Sequence, residues 1–182
     1  MLSLPLAEDA ELRLLEPWNA AEFAEHIDKV RTHVLPWVSF GATVVDEDSA
    51  RDLLQRYADR TAKDDGRLYG IWVDGELRGG TLFRVWEPVM RVCEVGVWLA
   101  PDATGRGLVT KAVTHMIDWA VCVRGMHRVE WHASSANTPS LAVAQRLGLT
   151  RDGVLRQAAE LGGTRHDIEV WSVLADEWRN RT

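Results

Sequence analysis

The segment from residue 92 to residue 123 constrains the fold of this chain most, because its hydrophobic period changes there from strand type to helix type. Val92–Leu99 is a short apolar run of strand type, and residues 101–107 follow as a loop with two glycines. Residues 108–123 then place apolar side chains on one helical face: Val109, Ala112, Val113, Met116, Ile117 and Ala120. The pattern predicts a strand, a glycine-rich loop and an amphipathic helix in direct succession.

Other elements are predicted on both sides of this segment. Residues 12–14 indicate a short strand, residues 20–30 a helix capped by Asn19, residues 32–43 a loop, and residues 49–63 a helix capped by Asp46 or Asp48. Leu68–Val73 and residues 78–85 flank the turn pair Asp74-Gly75 and predict a hairpin. Residues 127–133 predict a strand, residues 139–147 a helix ended by Gly148, and residues 168–174 a terminal strand. This order is typical of an α+β fold with a mixed, mostly antiparallel sheet, and we expect one domain over residues 1–182.

Composition excludes several classes of protein. The net charge is -6 and no dense run of Lys or Arg occurs, so nucleic acid is not expected as a partner. No run of eighteen apolar residues and no basic segment followed by an apolar run indicates membrane insertion or export. Cys93 and Cys122 lack the spacing of a metal site. We predict that both are reduced core thiols and that the protein is cytoplasmic.

The glycine-rich loop has two interpretations. Gly105 and Gly107 permit a close approach of backbone to a ligand, and the start of the following helix favours an anion such as a diphosphate. The same spacing also suits a tight turn between a strand and a helix that binds nothing. A P-loop is excluded because no Gly-Lys-Ser/Thr follows, and a dinucleotide fold is disfavoured because G-x-G-x-x-G is incomplete.

Two motifs resemble the GNAT N-acetyltransferase superfamily. Glu94-Val95-Gly96-Val97-Trp98-Leu99-Ala100-Pro101 and Thr104-Gly105-Arg106-Gly107-Leu108-Val109-Thr110 resemble its central strand and its Q/R-x-x-G-x-G/A loop. Thr104 and Val109 depart from that loop pattern. Asn137-Thr138-Pro139-Ser140, continuing to Arg146-Leu147-Gly148-Leu149, resembles the N-x-x-S-x-x-V-A-x-K/R-L-G-F signature of the RimJ/RimL subgroup, which acetylates ribosomal-protein N-termini. The resemblance covers the chain from about residue 12 to the terminal strand.

The resemblance implies a fold whose central strands splay apart, and acetyl-CoA as co-substrate. An N–H near Val97 or Trp98 would face the thioester carbonyl, and Ser140 would hydrogen-bond or protonate the departing thiolate. The residues implied in CoA binding are Val97, Trp98, Leu99, Thr104, Gly105, Arg106, Gly107, Leu108, Val109, Thr110, Asn137 and Ser140. From the residues alone, Ser140 equally suits an ordinary helix start with Asn137 or Thr138 as its N-cap.

The general base has several candidates. Glu94 alternates with Val95 on the central strand and is the first candidate, because a carboxylate in an apolar sheet requires a partner or a role. Its alternative is a sheet-surface Glu paired with Arg78 or Arg128. Glu160 is the second candidate, although the ribosomal-protein enzymes place their Glu at the position of Ala159. His132, His166 and Asp167 are further candidates.

The acceptor pocket is expected beside the loop at residues 32–43, as in relatives. Arg31, His33 and Trp37 are its predicted substrate-binding residues, joined by His132. Trp37 suits an aromatic wall or, as an alternative, a hydrophobic plug between the first two helices. Five other tryptophans lie in regular elements and are predicted to be core or core-edge: Trp72, Trp98, Trp119, Trp131 and Trp171.

These features predict an enzyme that transfers acetyl directly, in a ternary complex, from acetyl-CoA to a primary amine. The acceptor is a protein N-terminal α-amine, such as that of a ribosomal protein, or a small-molecule amine. Two alternatives stay open: an acetyltransferase for self-resistance against an aminoacyl compound or antibiotic, and a catalytically silent CoA-binding module. A homodimer is also left open.

Overall fold

A mixed β-sheet organises the chain in the computed structural model, which describes residues 3–161 and 163–181. Within those residues the sheet has eight strands in the order β1-β2-β3-β4-β5-β6-β8-β7. The strands are β1 (Leu4–Ala7), β2 (Ala10–Leu14), β3 (Leu68–Val73), β4 (Glu76–Glu87), β5 (Val92–Leu99), β6 (Arg128–Ser134), β7 (Thr150–Leu161) and β8 (Thr164–Leu174). The helices are α1 (Ala20–Val34), α2 (Phe40–Thr43), α3 (Glu47–Ala62), α4 (Leu108–Asp118), α5 (Thr138–Arg146) and α6 (Ala175–Arg179).

The direction of strand pairing agrees with the predicted class. β1–β2, β2–β3, β3–β4, β6–β8 and β7–β8 are antiparallel, whereas β5–β6 is parallel. The predicted hairpin is present, because Asp74 and Gly75 adopt φ values of +50° and +80° between β3 and β4. The mixed, mostly antiparallel α+β fold is therefore confirmed.

The chain forms two compact units. The first runs through Leu82 and includes Val97–Ala112, and the second comprises Phe83–Gly96 and the chain from Val113 onward. Three elements, β4, β5 and α4, have residues in both units. A single domain over residues 1–182 stays a prediction.

In the first unit, β3 separates two apolar clusters because its side chains alternate between the faces of the sheet. Leu68 and Trp72 belong to a cluster with buried residues of α1 and α3. Ile71 and Val73 belong to a second cluster with residues of β1 and β2, and with Leu108 at the start of α4. The residue that follows the glycine-rich loop is therefore anchored in the core.

Helix boundaries follow the capping residues in part. Asp46 caps α3 as predicted: its carboxylate accepts from the Ser49 N–H at 2.8 Å, and the Ser49 hydroxyl oxygen accepts from the Asp46 N–H at 3.0 Å. Asn19 is the N-cap of α1, but its side chain accepts from the Glu16 N–H at 3.1 Å instead of from the first turn. A 3₁₀ turn, Pro17–Asn19, precedes the helix and accounts for this difference.

Several predicted boundaries are wrong. The loop at residues 32–43 is partly helical, since α1 continues to Val34 and α2 follows at Phe40–Thr43. The helix predicted to reach residue 123 changes at Trp119–Val123 into a π-helix. β1, β7 and α6 were not predicted. β7 lacked a signal because most of its side chains are exposed on both faces, so its sequence shows no alternation.

The two cysteines occupy different environments. Cys93 is buried in β5, and burial raises the pKa of its thiol to about 12. Cys122 is exposed, so the prediction of a core thiol is wrong for that residue. Cys122 lies in the π-helical segment Trp119–Val123, in which Ala120 and Val121 are buried whereas Cys122 and Val123 are exposed.

The prediction that five tryptophans lie in the core or at its edge is confirmed. Trp72, Trp98, Trp131 and Trp171 are at most 9% exposed. Trp119 is half-buried, with its ring stacked on that of Trp86 at 5.3 Å between centroids.

Candidate active site

A loop with two left-handed glycines connects β5 to α4. Gly105 has a φ of +77° and Gly107 a φ of +73°, in the region that favours glycine. A Cβ added to either glycine would meet no described atom within 4 Å, so both face open space. α4 follows this loop directly, and its first turn carries the positive end of the helix dipole. This cradle fits the diphosphate of coenzyme A.

The remaining loop residues predicted to bind CoA are engaged with the protein. Thr104 donates its N–H and its hydroxyl to the Pro101 carbonyl at 3.3 and 2.7 Å. The Arg106 guanidinium binds both oxygens of Asp9 at 2.6 and 2.7 Å, and this hydrogen bonding lowers the pKa of the Asp9 carboxyl. Lys111 of α4, which was not among the predicted residues, donates to the Leu6 carbonyl at 2.7 Å. The loop therefore offers a diphosphate mainly its backbone N–H groups.

Trp98, at the end of β5, directs its side chain into the core. The indole is 4% exposed, and its Nε1 donates to His26 Nε2 at 3.1 Å. Phe40 packs edge-on against the ring at 5.1 Å between centroids. Gly80 leaves the space that the indole fills, since a Cβ on Gly80 would lie 2.1 Å from Trp98 Cη2. Only the backbone of Trp98 is therefore available to a ligand.

The other apolar residues of the predicted CoA set also have structural contacts. Leu99, Leu108 and Val109 belong to or pack against the second apolar cluster. Val97 and Thr110 are half-buried. Leu108 is 1% exposed and can contribute to binding only through its backbone, whereas the other four positions keep partly exposed side chains.

His26 lies beside a cleft of about 500 Å³ between α1, the start of β4 and the residues after β5. Burial, followed by the charge of Arg78, lowers the pKa of His26 to about 4. The imidazole is therefore neutral at pH 7 and accepts the Trp98 hydrogen bond through its Nε2 lone pair.

The predicted acceptor residues Arg31, His33 and Trp37 do not line this cleft. Arg31 donates to the Gly41 carbonyl at 2.6 Å and thereby connects α1 to α2. His33 is exposed on α1, and Trp37 is half-buried in the turn that follows. Their role in substrate binding stays a prediction.

In the second unit, the parallel ladder of β5 and β6 stops part-way along both strands. Its pairs are Val92↔Arg128, Cys93↔Val129 and Glu94↔Glu130. β5 continues to Leu99 and β6 to Ser134, and β6 keeps its pairing with β8 as far as Ser134↔Ile168. The β5–β6 ladder thus ends at Glu94 and Glu130, and the two strands continue beyond these residues without pairing to each other.

Glu94 is a buried carboxylate at the end of the β5–β6 ladder. Its side chain is 7% exposed, and its Oε1 accepts from Arg84 Nη1 at 2.6 Å. The alternative of a surface Glu paired with Arg78 or Arg128 is wrong, because both arginines bind other carboxylates. The contact between β4 and β5 in the folded sheet identifies Arg84 as the partner.

His132 lies between two carboxylates. Its Nε2 is 3.0 Å from Glu130 Oε2, and its Nδ1 is 3.9 Å from Glu94 Oε2. Glu130 and His132 share a face of β6 because they are two residues apart, and Arg128 donates to Glu130 Oε1 at 2.7 Å. From Arg84 the groups follow in the order Glu94, His132, Glu130 and Arg128, so the imidazole lies between two carboxylates that are each paired with an arginine. Such an arrangement can hold an ammonium group and accept its proton.

Ser140 lies in the first turn of α5. Asn137 caps that helix, as one interpretation of the sequence predicted, and its Oδ1 accepts from the Ser140 N–H at 3.3 Å. The Ser140 hydroxyl oxygen accepts from Trp131 Nε1 at 3.1 Å. The structure thus brings Asn137, Ser140 and Trp131 together.

The remaining base candidates have other partners. Glu160 is 57% exposed at its side chain and forms an ion pair with Arg165 at 3.3 Å. His166 Nδ1 lies 2.9 Å from the Ser134 hydroxyl. Asp167 accepts from the Gln157 N–H at 2.8 Å, where Gln157 adopts a φ of +50°. Asp167 therefore stabilises a strained turn of β7.

Sequence reasoning missed three residues of the second unit: Arg84, Glu130 and Trp131. A buried carboxylate needs a cation, which indicated that Glu94 pairs with an arginine, but arginines occur on several strands. Glu130 carried a signal in its alternation with Val129 and Trp131, which puts a carboxylate on the face that also bears His132. A buried indole requires an acceptor, but nothing in the sequence identified Ser140 as that acceptor.

The sequence of this chain also matches a known family. Residues 10–150 match the model of the acetyltransferase (GNAT) domain. The chain belongs to the GNAT acetyltransferase family. It is an N-acetyltransferase with acetyl-CoA as its co-substrate, and a silent CoA-binding module is not favoured.

Individual relatives place the protein in the RimJ/RimL-like group. It is 30% identical to the putative ribosomal N-acetyltransferase YdaF of Bacillus subtilis, over 98% of each chain. It is 22% identical to the ribosomal-protein-serine acetyltransferase of Escherichia coli, over 96% of this chain and 97% of that one. The ribosomal L7/L12 alpha-N-protein acetyltransferase RimL, solved with coenzyme A, shares the fold with a TM-score of 0.89 at 22% identity, over 96% of this chain and 99% of the other.

Among the described residues, no helix combines the length and the hydrophobicity that a membrane span requires. In the same residues, His, Cys, Asp and Glu side chains form no group of three or more that could hold a metal ion.

Proposed function

We propose that this N-acetyltransferase acetylates the free α-amine at the N-terminus of a protein, and that ribosomal proteins are its first acceptors to test. The names of the relatives support this acceptor class. The observation that carries the proposal is the buried Glu94 beside His132 at the end of the β5–β6 ladder. An α-amine has a pKa of ~8, so most of it arrives as ammonium at pH 7 and must lose a proton before it reacts.

Each part of the reaction has a candidate group in this chain. Acetyl-CoA supplies the activated acetyl group as a thioester. The loop at Gly105 and Gly107 binds diphosphate, and a backbone N–H of Val97 or Trp98 donates to the carbonyl oxygen. Glu94 accepts the proton of the amine, and the Ser140 hydroxyl donates to the sulfur.

Glu94 is favoured over Glu160 as the base by its surroundings. The side chain of Glu94 is 7% exposed, whereas that of Glu160 is 57% exposed and paired with Arg165. A carboxylate that is largely withdrawn from water binds an ammonium group more strongly, because the local dielectric is lower. Arg84 donates to Glu94 Oε1 at 2.6 Å and holds that carboxylate in place, while Oε2 faces His132.

We propose that residues 1–182 act as one catalytic domain in the cytoplasm. We also propose that four side chains contact the acceptor: Arg31, His33, Trp37 and His132.

The kinetic mechanism is tested by measuring initial rates with both substrates varied. Direct transfer in a ternary complex predicts intersecting lines in double-reciprocal plots, whereas a covalent acetyl-enzyme predicts parallel lines. Sedimentation of the purified chain decides between a monomer and a homodimer.

The acceptor is tested with acetyl-CoA and a panel of amines. The panel contains peptides with a free N-terminus, the same peptides with a blocked N-terminus and an internal Lys, and small amines including polyamines. We expect release of CoA thiol with the free N-terminus only, and mass spectrometry then locates the acetyl group on the α-amine. Acetylation of small amines alone would contradict the proposed acceptor class. Absence of thiol release with every amine would contradict the catalytic role of this site.

A further inference from the structure

We propose that Trp131 is a positioning residue that fixes the direction in which the Ser140 hydroxyl donates its proton. Trp131 lies in β6 and is 3% exposed, and its Nε1 donates to the Ser140 hydroxyl oxygen at 3.1 Å. The proposal rests on the proposed role of Ser140 as the group that donates to the sulfur of the co-substrate.

The hydrogen bond has a fixed polarity. An indole N–H is a donor only, whereas a hydroxyl has one donor and two acceptor positions. Because Trp131 takes one acceptor position of Ser140, the hydroxyl proton cannot point at the indole nitrogen and is directed to another acceptor. The backbone of Ser140 is held as well, since its N–H donates to Asn137 Oδ1 at 3.3 Å.

The same hydrogen bond makes Ser140 a better donor. A hydroxyl that accepts a hydrogen bond is polarised, so the bond that it donates becomes stronger. The effect is largest when negative charge develops on the acceptor, as on a departing thiolate. Trp131 therefore acts on the reaction through Ser140 and need not touch a substrate.

A neighbouring tryptophan provides a matched control. Trp171 of β8 lies directly opposite Trp131 in the strand register and is 9% exposed. Its Nε1 donates to Glu169 at 3.0 Å instead of to a hydroxyl. Trp131→Phe and Trp171→Phe each remove one indole N–H from a buried ring, but only the first removes a donor to Ser140.

The kinetic test is a double-mutant cycle on the full chain with acetyl-CoA and an accepted peptide. We expect Trp131→Phe to lower kcat by about fivefold, the effect of one hydrogen bond between neutral groups, with the KM for acetyl-CoA nearly unchanged. In the Ser140→Ala background the same substitution is expected to have no further effect. Trp171→Phe is expected to leave kcat at the level of the parent.

Three kinetic outcomes oppose the proposal in distinguishable ways. Equal losses from Trp131→Phe in both backgrounds would show that Trp131 acts elsewhere. A loss in Ser140→Ala without a loss in Trp131→Phe would overturn the positioning role alone. A Ser140→Ala variant with the kcat of the parent would overturn the proposed role of Ser140, and the positioning role with it.

A second measurement does not depend on turnover or on folding of Trp131→Phe. The assigned ¹⁵N–¹H indole resonance of Trp131 is compared in the parent and in Ser140→Ala, with and without CoA. We expect Ser140→Ala to move this resonance upfield and to speed its hydrogen exchange, while that of Trp171 stays unchanged. CoA is expected to shift the Trp131 resonance in the parent only. An indole resonance of Trp131 that is identical in parent and Ser140→Ala would overturn the proposal.

Discussion

We predict that His26, the buried imidazole that accepts the Trp98 hydrogen bond, makes the free energy of unfolding strongly dependent on pH. Burial and the charge of Arg78 lower its pKa to about 4, against 6.5 for an unperturbed histidine. Between these two values the unfolded chain binds a proton that the folded chain does not bind. The free energy of unfolding therefore falls as the pH drops from 6.5 to 4, and below 4 this contribution stays constant.

The magnitude follows from the size of the shift. A fall from 6.5 to about 4 spans roughly two and a half pKa units. Each unit corresponds to ~1.4 kcal/mol, so His26 should account for about 3 kcal/mol of the stability lost between pH 7 and pH 4. This is a large fraction of the ~5–15 kcal/mol that stabilises a typical domain.

The assay is urea unfolding at pH 7, 5.5 and 4, on the parent and on His26→Gln. Glutamine can still accept from Trp98 Nε1 but does not titrate. We expect the difference in the free energy of unfolding between parent and variant to change by about 3 kcal/mol across this range. His33→Gln, on the exposed side of the same helix, is the control and should follow the parent. Parallel pH profiles for the parent and His26→Gln would refute the reasoning.

Three further predictions concern other parts of the site and the core. Glu94→Gln should lower the turnover number most near pH 7, and activity should recover as the pH approaches the α-amine pKa of ~8. Glu160→Gln should keep the pH profile of the parent in the thiol-release assay. A loss of activity that does not change with pH would assign Glu94 a positioning role. CoA should raise the melting temperature of the parent but not of Gly107→Val, and normal CoA binding by that variant would place the diphosphate elsewhere. Gly80→Ala should destabilise the protein by ~2 kcal/mol or more, because its Cβ would lie 2.1 Å from Trp98 Cη2 and 2.4 Å from the Tyr69 carbonyl oxygen. Gly75→Ala meets no described atom and should cost only ~1 kcal/mol from its left-handed backbone, and equal losses in urea unfolding would contradict this account.

Local sequence signals predicted the elements that depend on local chemistry. The turn at Asp74 and Gly75, the cap at Asp46 and the glycine-rich loop each need particular residues at adjacent positions, and each was found where predicted. Strand β7 was missed because it is stabilised by pairing with β8 rather than by a buried face. The hydrogen bonds between β7 and β8 involve backbone groups, which every sequence possesses, so no pattern of side chains predicts this pairing.

The candidate site was predictable to a similar extent. Glu94 and Ser140 were identified from the motifs, but their partners Arg84 and Trp131 were not. These partners depend on strand register and on the placement of α5, which are properties of the folded chain. The exposed position of Cys122 was missed because a place inside a predicted helix does not say which side chains are buried, and the segment Trp119–Val123 forms a π-helix.

Side chains along β6 alternate between the two faces of the sheet, so they form two sets that can be substituted independently of each other. Trp131 points to α5 and Ser140, whereas Glu130 and His132 form the charged cluster on the opposite face. Substitutions at the even positions can therefore alter the charged face without moving the residue that orients Ser140. An inserted or deleted residue within β6 would instead exchange the two faces at every later position, so the strand can diversify by substitution but not by a change in its length.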